Sequence, residues 1–314
     1  MVAHGETKEA GEVEQFELLV TPDFTPLADF AAFGAYEAVA VQETGKDISG
    51  MIDRIAADIY KYLMTRPESA PLMGEATEVA SESRIKEWLA RTSSGPFDGE
   101  LAAFLRETSH LPGGEVTFPG VSVPLPPQLI LALTAWVQGQ ILDALGETCD
   151  VATVSAAGGA WMNQFMLQLG IILEPRLAEP ESLPGEHQST EFHTYSEFAG
   201  FDAVQERTLR ETGHLLEPAA GGVVAVAYDH LLSRPESAGY FQDAGHLAMR
   251  KKTLKAWWSK STTQPKDGKF HAYLSRVADA HVKGGGLHPQ VAIPPALTIA
   301  LMGWVEMRVM TQCH

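Results

Sequence analysis

The sequence predicts an all-α protein built from two helical units in tandem, and three observations carry that prediction. A chain of 314 residues matches two domains of roughly 150 residues each. The second half repeats the first, block by block. Apolar residues recur at helical spacing through the repeat, and no alternating strand pattern emerges.

The repeat is read directly from the residues. YKYLMTRPES (60–69) faces YDHLLSRPES (228–237), and WLARTSSGPFDGE (88–100) faces WWSKSTTQPKDGK (257–269). PGVSVPLPPQLILALTAWV (119–137) faces PQVAIPPALTIALMGWV (289–305). The offset is 228 − 60 = 168 at the start, 257 − 88 = 169 in the middle and 304 − 136 = 168 at the end. Small loop gaps explain that drift. Three blocks in one order make each half a structural unit.

The elements follow in order. Residues 1–15 are an acidic tail, and the first unit runs over 16–177. It closes on a long apolar helix over 150–175. Residues 178–198 (AEPESLPGEHQSTEFHTYSEF) are polar and contain prolines, which predicts a linker. The second unit spans 199–314. Val223, Val224, Val226, Ala227 and Leu231 mark a helical face, and Arg234-Pro235-Glu236-Ser237 ends that helix, since proline disfavours helical geometry in the preceding residue. A second helix covers 245–260, basic on one side through Arg250, Lys251, Lys252 and Lys255, and a third covers 270–282. Gly284-Gly285-Gly286 stops it. Pro294 or Pro295 opens the next helix, while Val291-Ala292-Ile293 is too short and proline-bound for a strand. No counterpart of 150–175 follows, so the second unit is expected to lack its last helix.

Composition excludes several classes. The net charge of −17 argues against a nucleic-acid binder, which needs clustered Lys and Arg, and against docking on anionic membrane surfaces. The hydrophobic fraction of 45% is ordinary for a soluble domain. Cys149 and Cys313 are too few for a disulfide framework or a zinc cluster. The N-terminal stretch has no apolar signal core, and no apolar run is expected to reach the ~20 residues of a membrane span. These features predict a cytoplasmic protein.

The second unit resembles the sensor-globin and protoglobin family, the haem domains of globin-coupled sensors and their stand-alone relatives. The likeness rests on an ordered set: VVAVAYDHLLSRPESAGYF, HLAMRKKTLKAWW, FHAYLSRVADAH, the glycine turn and the proline-started helix. A weaker version runs from about Ile48 to Pro175 in the first unit. The resemblance implies two tandem globin-like domains. It places the proximal haem ligand at His281 within RVADAH, where iron takes a neutral imidazole nitrogen. It places the distal hydrogen-bond donor at Tyr228, Thr253 as its companion, and Phe241 as the aromatic that packs on the haem face. The separation of 281 − 228 = 53 residues suits three helices closing over one pocket. His246 and His288 are the remaining plausible substitutes at iron. Trp257 and Trp258 read as helix packing, and Arg250, Lys251 and Lys252 as a solvated face.

The first unit keeps the pair as Tyr60 and, with one deletion, His110, separated by 110 − 60 = 50 residues. It departs in three ways. Met73 stands where Phe241 stands, Arg84 or Ile85 takes the place of Thr253, and Leu111-Pro112 forces the ligand helix to end almost at His110. The resemblance thus implies one haem b in the second unit and leaves a second haem in the first unit open.

Three functional readings follow. The preferred one is a haem protein that reversibly binds O₂, NO or CO for sensing or gas handling; signalling would need a separate partner, because the sequence carries no output region. The second is a haem-dependent enzyme that uses O₂ or peroxide on a small substrate, with a separate redox partner. The third is a haem-free interaction module in which the units form an internal pseudo-dimer, 126–145 and 150–175 packing against 294–312. Further homodimerisation stays open in each.

Overall fold

Helices account for most of the described backbone. The computed structural model describes residues 19–21, 23–73, 78–178, 189–241, 244–282 and 294–312. No strand forms among them; two isolated bridges pair Val20 with Phe97 and His110 with Val116. The first compact unit contains the described residues through Ala178 together with Ile299–Gln312, and the second contains Ser189–Thr298.

The first unit is built from α1 (Ala35–Ile48), a 3₁₀ turn (Ser49–Met51), α2 (Ile52–Thr65), a second 3₁₀ turn (Ala70–Leu72), α3 (Glu78–Ser94), α4 (Gly99–Ser109), α5 (Pro127–Thr148), α6 (Val151–Ile172) and the short α7 (Glu174–Ala178). Helix α2 forms because Ile52, Ile55, Ala56, Ile59, Tyr60 and Leu63 fall on one face, and all are buried. It stops at Arg66, whose extended backbone (φ −82°, ψ 134°) is what Pro67 demands of its neighbour. The Ser69 hydroxyl then donates to the Leu63 carbonyl at 2.6 Å, satisfying one of the orphan groups of the helix end. Asp98 and Asp150 cap α4 and α6 by accepting main-chain N–H bonds.

Helix α5 corrects one expectation: it is long and apolar enough to cross a membrane by length and composition. Leu129, Ile130, Leu133, Val137, Ile141 and Leu145 are buried in the unit, as in the core helix of a globular domain. Helix α6 runs through the centre and carries polar groups that lock its neighbours. The Trp88 indole donates to Gln168 Oε1 at 2.7 Å, and the Trp161 indole donates to Thr44 Oγ1 at 2.9 Å. Its opposite side takes the segment Ile299–Gln312. The Ser155 hydroxyl donates to the Met310 carbonyl at 2.7 Å. A Cβ on Gly159 would lie 3.0 Å from Met307 Cα, and one on Gly303 would lie 2.8 Å from Met166 Cβ. These glycines let the backbones approach where larger residues would hold them apart.

The second unit contains α8 (Ser189–Phe198), α9 (Ala203–Leu216), α10 (Ala220–Ser233), the one-turn α11 (Pro235–Ala238), α12 (Ala244–Thr263) and α13 (Gly268–Val282); α14 (Pro295–Gln312) begins in it. The expected linker over 178–198 is therefore partly helix. Phe192, Tyr195 and Phe198 recur at three-residue spacing, and Phe198 is fully buried. Helix α14 starts at Pro295 as expected.

The repeat persists in atomic detail. Ser237 donates to the Leu231 carbonyl at 2.6 Å, the same device as Ser69 and Leu63. Asp267 accepts the N–H groups of Lys269 and Phe270, as Asp98 accepts those of Glu100 and Leu101. A Cβ on Gly45 would collide with the Ser93 carbonyl oxygen where α1 crosses α3, and a Cβ on Gly213 would collide with the Thr262 carbonyl oxygen where α9 crosses α12.

Candidate functional site

In the second unit the inward positions of α10 are Val223, Val224, Ala227, Tyr228 and Leu231. Tyr228 is buried, and its ring meets Phe241 edge-on, with centroids 5.4 Å apart and planes at 76°. Phe241 reaches this position because the Arg234-Pro235 turn and α11 fold the chain back; its N–H donates to the Ala238 carbonyl at 3.1 Å. Lys251 lies 5.8 Å from the centroid of the Tyr228 ring, a weak cation–π contact from α12. The Tyr228 hydroxyl makes no hydrogen bond among the described residues. Burial pushes its pKa up to about 12, with the nearby Arg250 charge opposing the shift. At neutral pH the group is therefore a protonated donor without an acceptor among the described residues.

His281 is the second-last residue of α13, and its side chain lies outside the described residues. His246 has the same status on α12, and His288 lies outside them altogether. Thr253 is exposed, and its hydroxyl donates to the Met249 carbonyl one turn back at 3.0 Å. It does not join Tyr228 and Phe241 in this arrangement. Its counterpart at an offset of 169 is Arg84, also exposed. The next residues, Leu254 and Ile85, are the ones that turn inward; Ile85 is fully buried and Leu254 half-buried. The signal for Leu254 was the matched pair Trp88 and Trp257, which fixes the helix register at that offset.

The first unit differs. Tyr60 on α2 and Met73 after the second 3₁₀ turn are buried. His110 ends α4 as its C-cap, in extended geometry (φ −99°, ψ 119°), as Leu111-Pro112 required. Its Nε2 lies 3.0 Å from the Ile171 carbonyl oxygen of α6. After it, residues 111–126 form a strap. Leu111 N–H donates to the Glu115 carbonyl at 2.9 Å, Thr117 N–H donates back to Ser109 at 2.9 Å, and Leu125 N–H donates to Val116 at 3.0 Å. Phe118, fully buried, meets Trp88 of α3 edge-on at 4.9 Å. Gly120 has φ +88°, and a Cβ there would lie 2.7 Å from the backbone nitrogen of Ile85. No periodic pattern in the sequence marks this strap.

A haem site needs a neutral imidazole nitrogen aimed into an apolar cleft, and a distal side whose donors suit the ligand. On the distal side the second unit offers Tyr228: a buried phenol, held protonated, braced by an aromatic, with no hydrogen bond to a described residue. In the first unit the corresponding histidine has its Nε2 engaged with the Ile171 carbonyl, and the strap packs Phe118 against α3. The chain has no match among curated proteins and none among solved structures. The protoglobin family model matches it twice, over residues 22–182 and 188–313, together most of the chain. The chain belongs to the protoglobin family, globins that bind haem, and carries two tandem copies of its domain.

Proposed function

We propose that this chain is a haem-binding globin whose second unit holds one haem b on His281 and reversibly binds a diatomic gas, O₂, NO or CO. The observation that supports this reading best is Tyr228: buried, protonated, packed on Phe241, and without an acceptor among the described residues. The phenol ring is buried while its hydroxyl has no hydrogen bond to a described residue, so the donor is open to an incoming acceptor. Bound haem supplies a ferrous iron that takes up a diatomic gas. His281 would hold the iron from α13. The Tyr228 hydroxyl offers a hydrogen bond to the more negative end of the gas, favouring O₂ over CO. Phe241 restricts the Tyr228 ring by its edge-on contact.

The reduced protein should give distinct spectra with O₂ and with CO, and each should reverse when the gas is removed. Rapid oxidation in air, together with peroxide turnover of small organic substrates, would contradict reversible gas binding and favour an oxidising enzyme.

A further inference from the structure

We infer that the first unit is a globin domain whose own strap takes the place of a haem, so that the chain carries one haem, in the second unit, rather than two. This rests on the proposed haem site of the second unit for its stoichiometry, but the geometry that carries it belongs wholly to the first unit.

A haem in the first unit would have to lie between α3 and α4, reached by Tyr60 from α2 and held by His110. Two independent features oppose it. The first is the state of His110. An imidazole nitrogen 3.0 Å from a carbonyl oxygen is attractive only when it carries the proton, because otherwise two lone pairs face each other. Nε2 is therefore the N–H of this ring, and its lone pair belongs to the aromatic system. Nδ1 is left, the nitrogen that sits beside the residue's own main chain. That main chain bends away from α4 at this residue to form the bridge with Val116.

The second feature is the strap. It leaves the end of α4 tied to it through Thr117 and Ser109, and it reaches α3 with Phe118 against Trp88 and Gly120 against Ile85. It therefore bridges the two helices that a macrocycle would have to separate. Phe118, Val121 and Leu125 are each at most 3% exposed, so the strap is core and not a loop lying over a cavity. Thr117 fastens it further, its hydroxyl donating to the Val123 carbonyl at 2.6 Å. The positive φ of Gly120 and the contact of its Cα with α3 leave room for glycine alone. To admit haem the unit would have to expel this segment, exposing the apolar side chains of Phe118, Val121 and Leu125 and breaking the Thr117–Ser109 main-chain hydrogen bond that ties it to α4. The second unit is two residues shorter in the matching block, 289–305 against 119–137, so the strap's length is a feature of the first.

The experiment is a haemin titration of the full apo-chain, followed at the Soret band, with the wild type, His110→Gln, His110→Ala and His281→Ala. The glutamine keeps a donor for the Ile171 carbonyl and guards against a folding defect in the alanine variant. The expected result is a break at one equivalent in the wild type and in both His110 variants, with unchanged spectra. His281→Ala should show no break. A break at two equivalents, or a loss of half the signal in the His110 variants, would overturn the inference. No break in any protein would support the filled first unit and overturn the proposed function of the second.

Discussion

Tyr228 is a core side chain to which the proposed function gives a second role. Its ring contributes to packing through Phe241, while its hydroxyl has no hydrogen bond to a described residue. A hydrogen bond to a charged acceptor contributes roughly 1.5–3 kcal/mol, and each 1.4 kcal/mol is about tenfold in equilibrium. Tyr228→Phe should therefore speed O₂ dissociation by about tenfold or more, measured by stopped flow. CO dissociation should change far less, since bound CO carries little negative charge. Equal shifts for the two gases would mean that the pocket had been damaged. The pH dependence has a definite sign. Because burial raises the Tyr228 pKa to about 12, the donor form is complete below pH 10 and is lost only as pH rises through the raised value. The O₂ dissociation rate should be flat from neutral pH to about 10; a titration within that range would have to come from another group. Tyr228 and Phe241 came from the family resemblance, and the structure packs their rings together. Thr253 was not placed correctly by pattern alone, because a helix turns about 100° per residue and a one-residue ambiguity, Arg84 against Ile85, decides which side chain faces inward.

The helix crossings are set by glycines that the repeat preserves. Gly45 lies against Ser93 and Gly213 against Thr262, in each case with no space for a Cβ. Overpacking a close contact destabilises by roughly 1–3 kcal/mol. Gly45→Ala should lower the urea midpoint of the folded protein, and Gly213→Ala should do the same for the transition of the second unit, in both cases without changing the denaturant slope. Ser69 provides a second check. Its hydroxyl satisfies the Leu63 carbonyl in the core, so Ser69→Ala should destabilise by about 1–3 kcal/mol, whereas Ser69→Thr, which keeps the donor, should lose less. The helix ends were readable in the sequence, since Asp98, Asp267 and the Arg-Pro pairs each have a local mechanism. The strap over 111–126 and helix α8 were not. The strap's order comes from Phe118 and Gly120 meeting α3, a contact with no sequence period, and α8 stands behind a proline-rich stretch that reads as a linker.

At the scale of the whole molecule, two copies of one domain have taken different routes to a filled core. The first fills it with its own chain, and the second is proposed to fill it with haem. A ligand stabilises only the state that binds it. Removing haem should therefore lower the unfolding transition of the second unit while leaving that of the first in place, seen by calorimetry as one shifted and one fixed peak. The tandem repeat was fully legible, yet the allocation of the last helix was not: matched sequence places 289–305 with the second copy, whereas packing against Gly159 and Ser155 places Ile299–Gln312 with the first. Sequence similarity records ancestry, and it carries no information on which copy a helix packs against.

The most direct test is the absorption spectrum of the purified full-length protein beside that of His281→Ala, both produced with added haem precursor. The wild type should be red, with a Soret band and the ferrous spectrum of a histidine-ligated haem, and the variant should lose most of that absorbance while keeping its helical circular dichroism. A colourless wild type, or an unchanged Soret band in a folded His281→Ala, would contradict haem binding at His281.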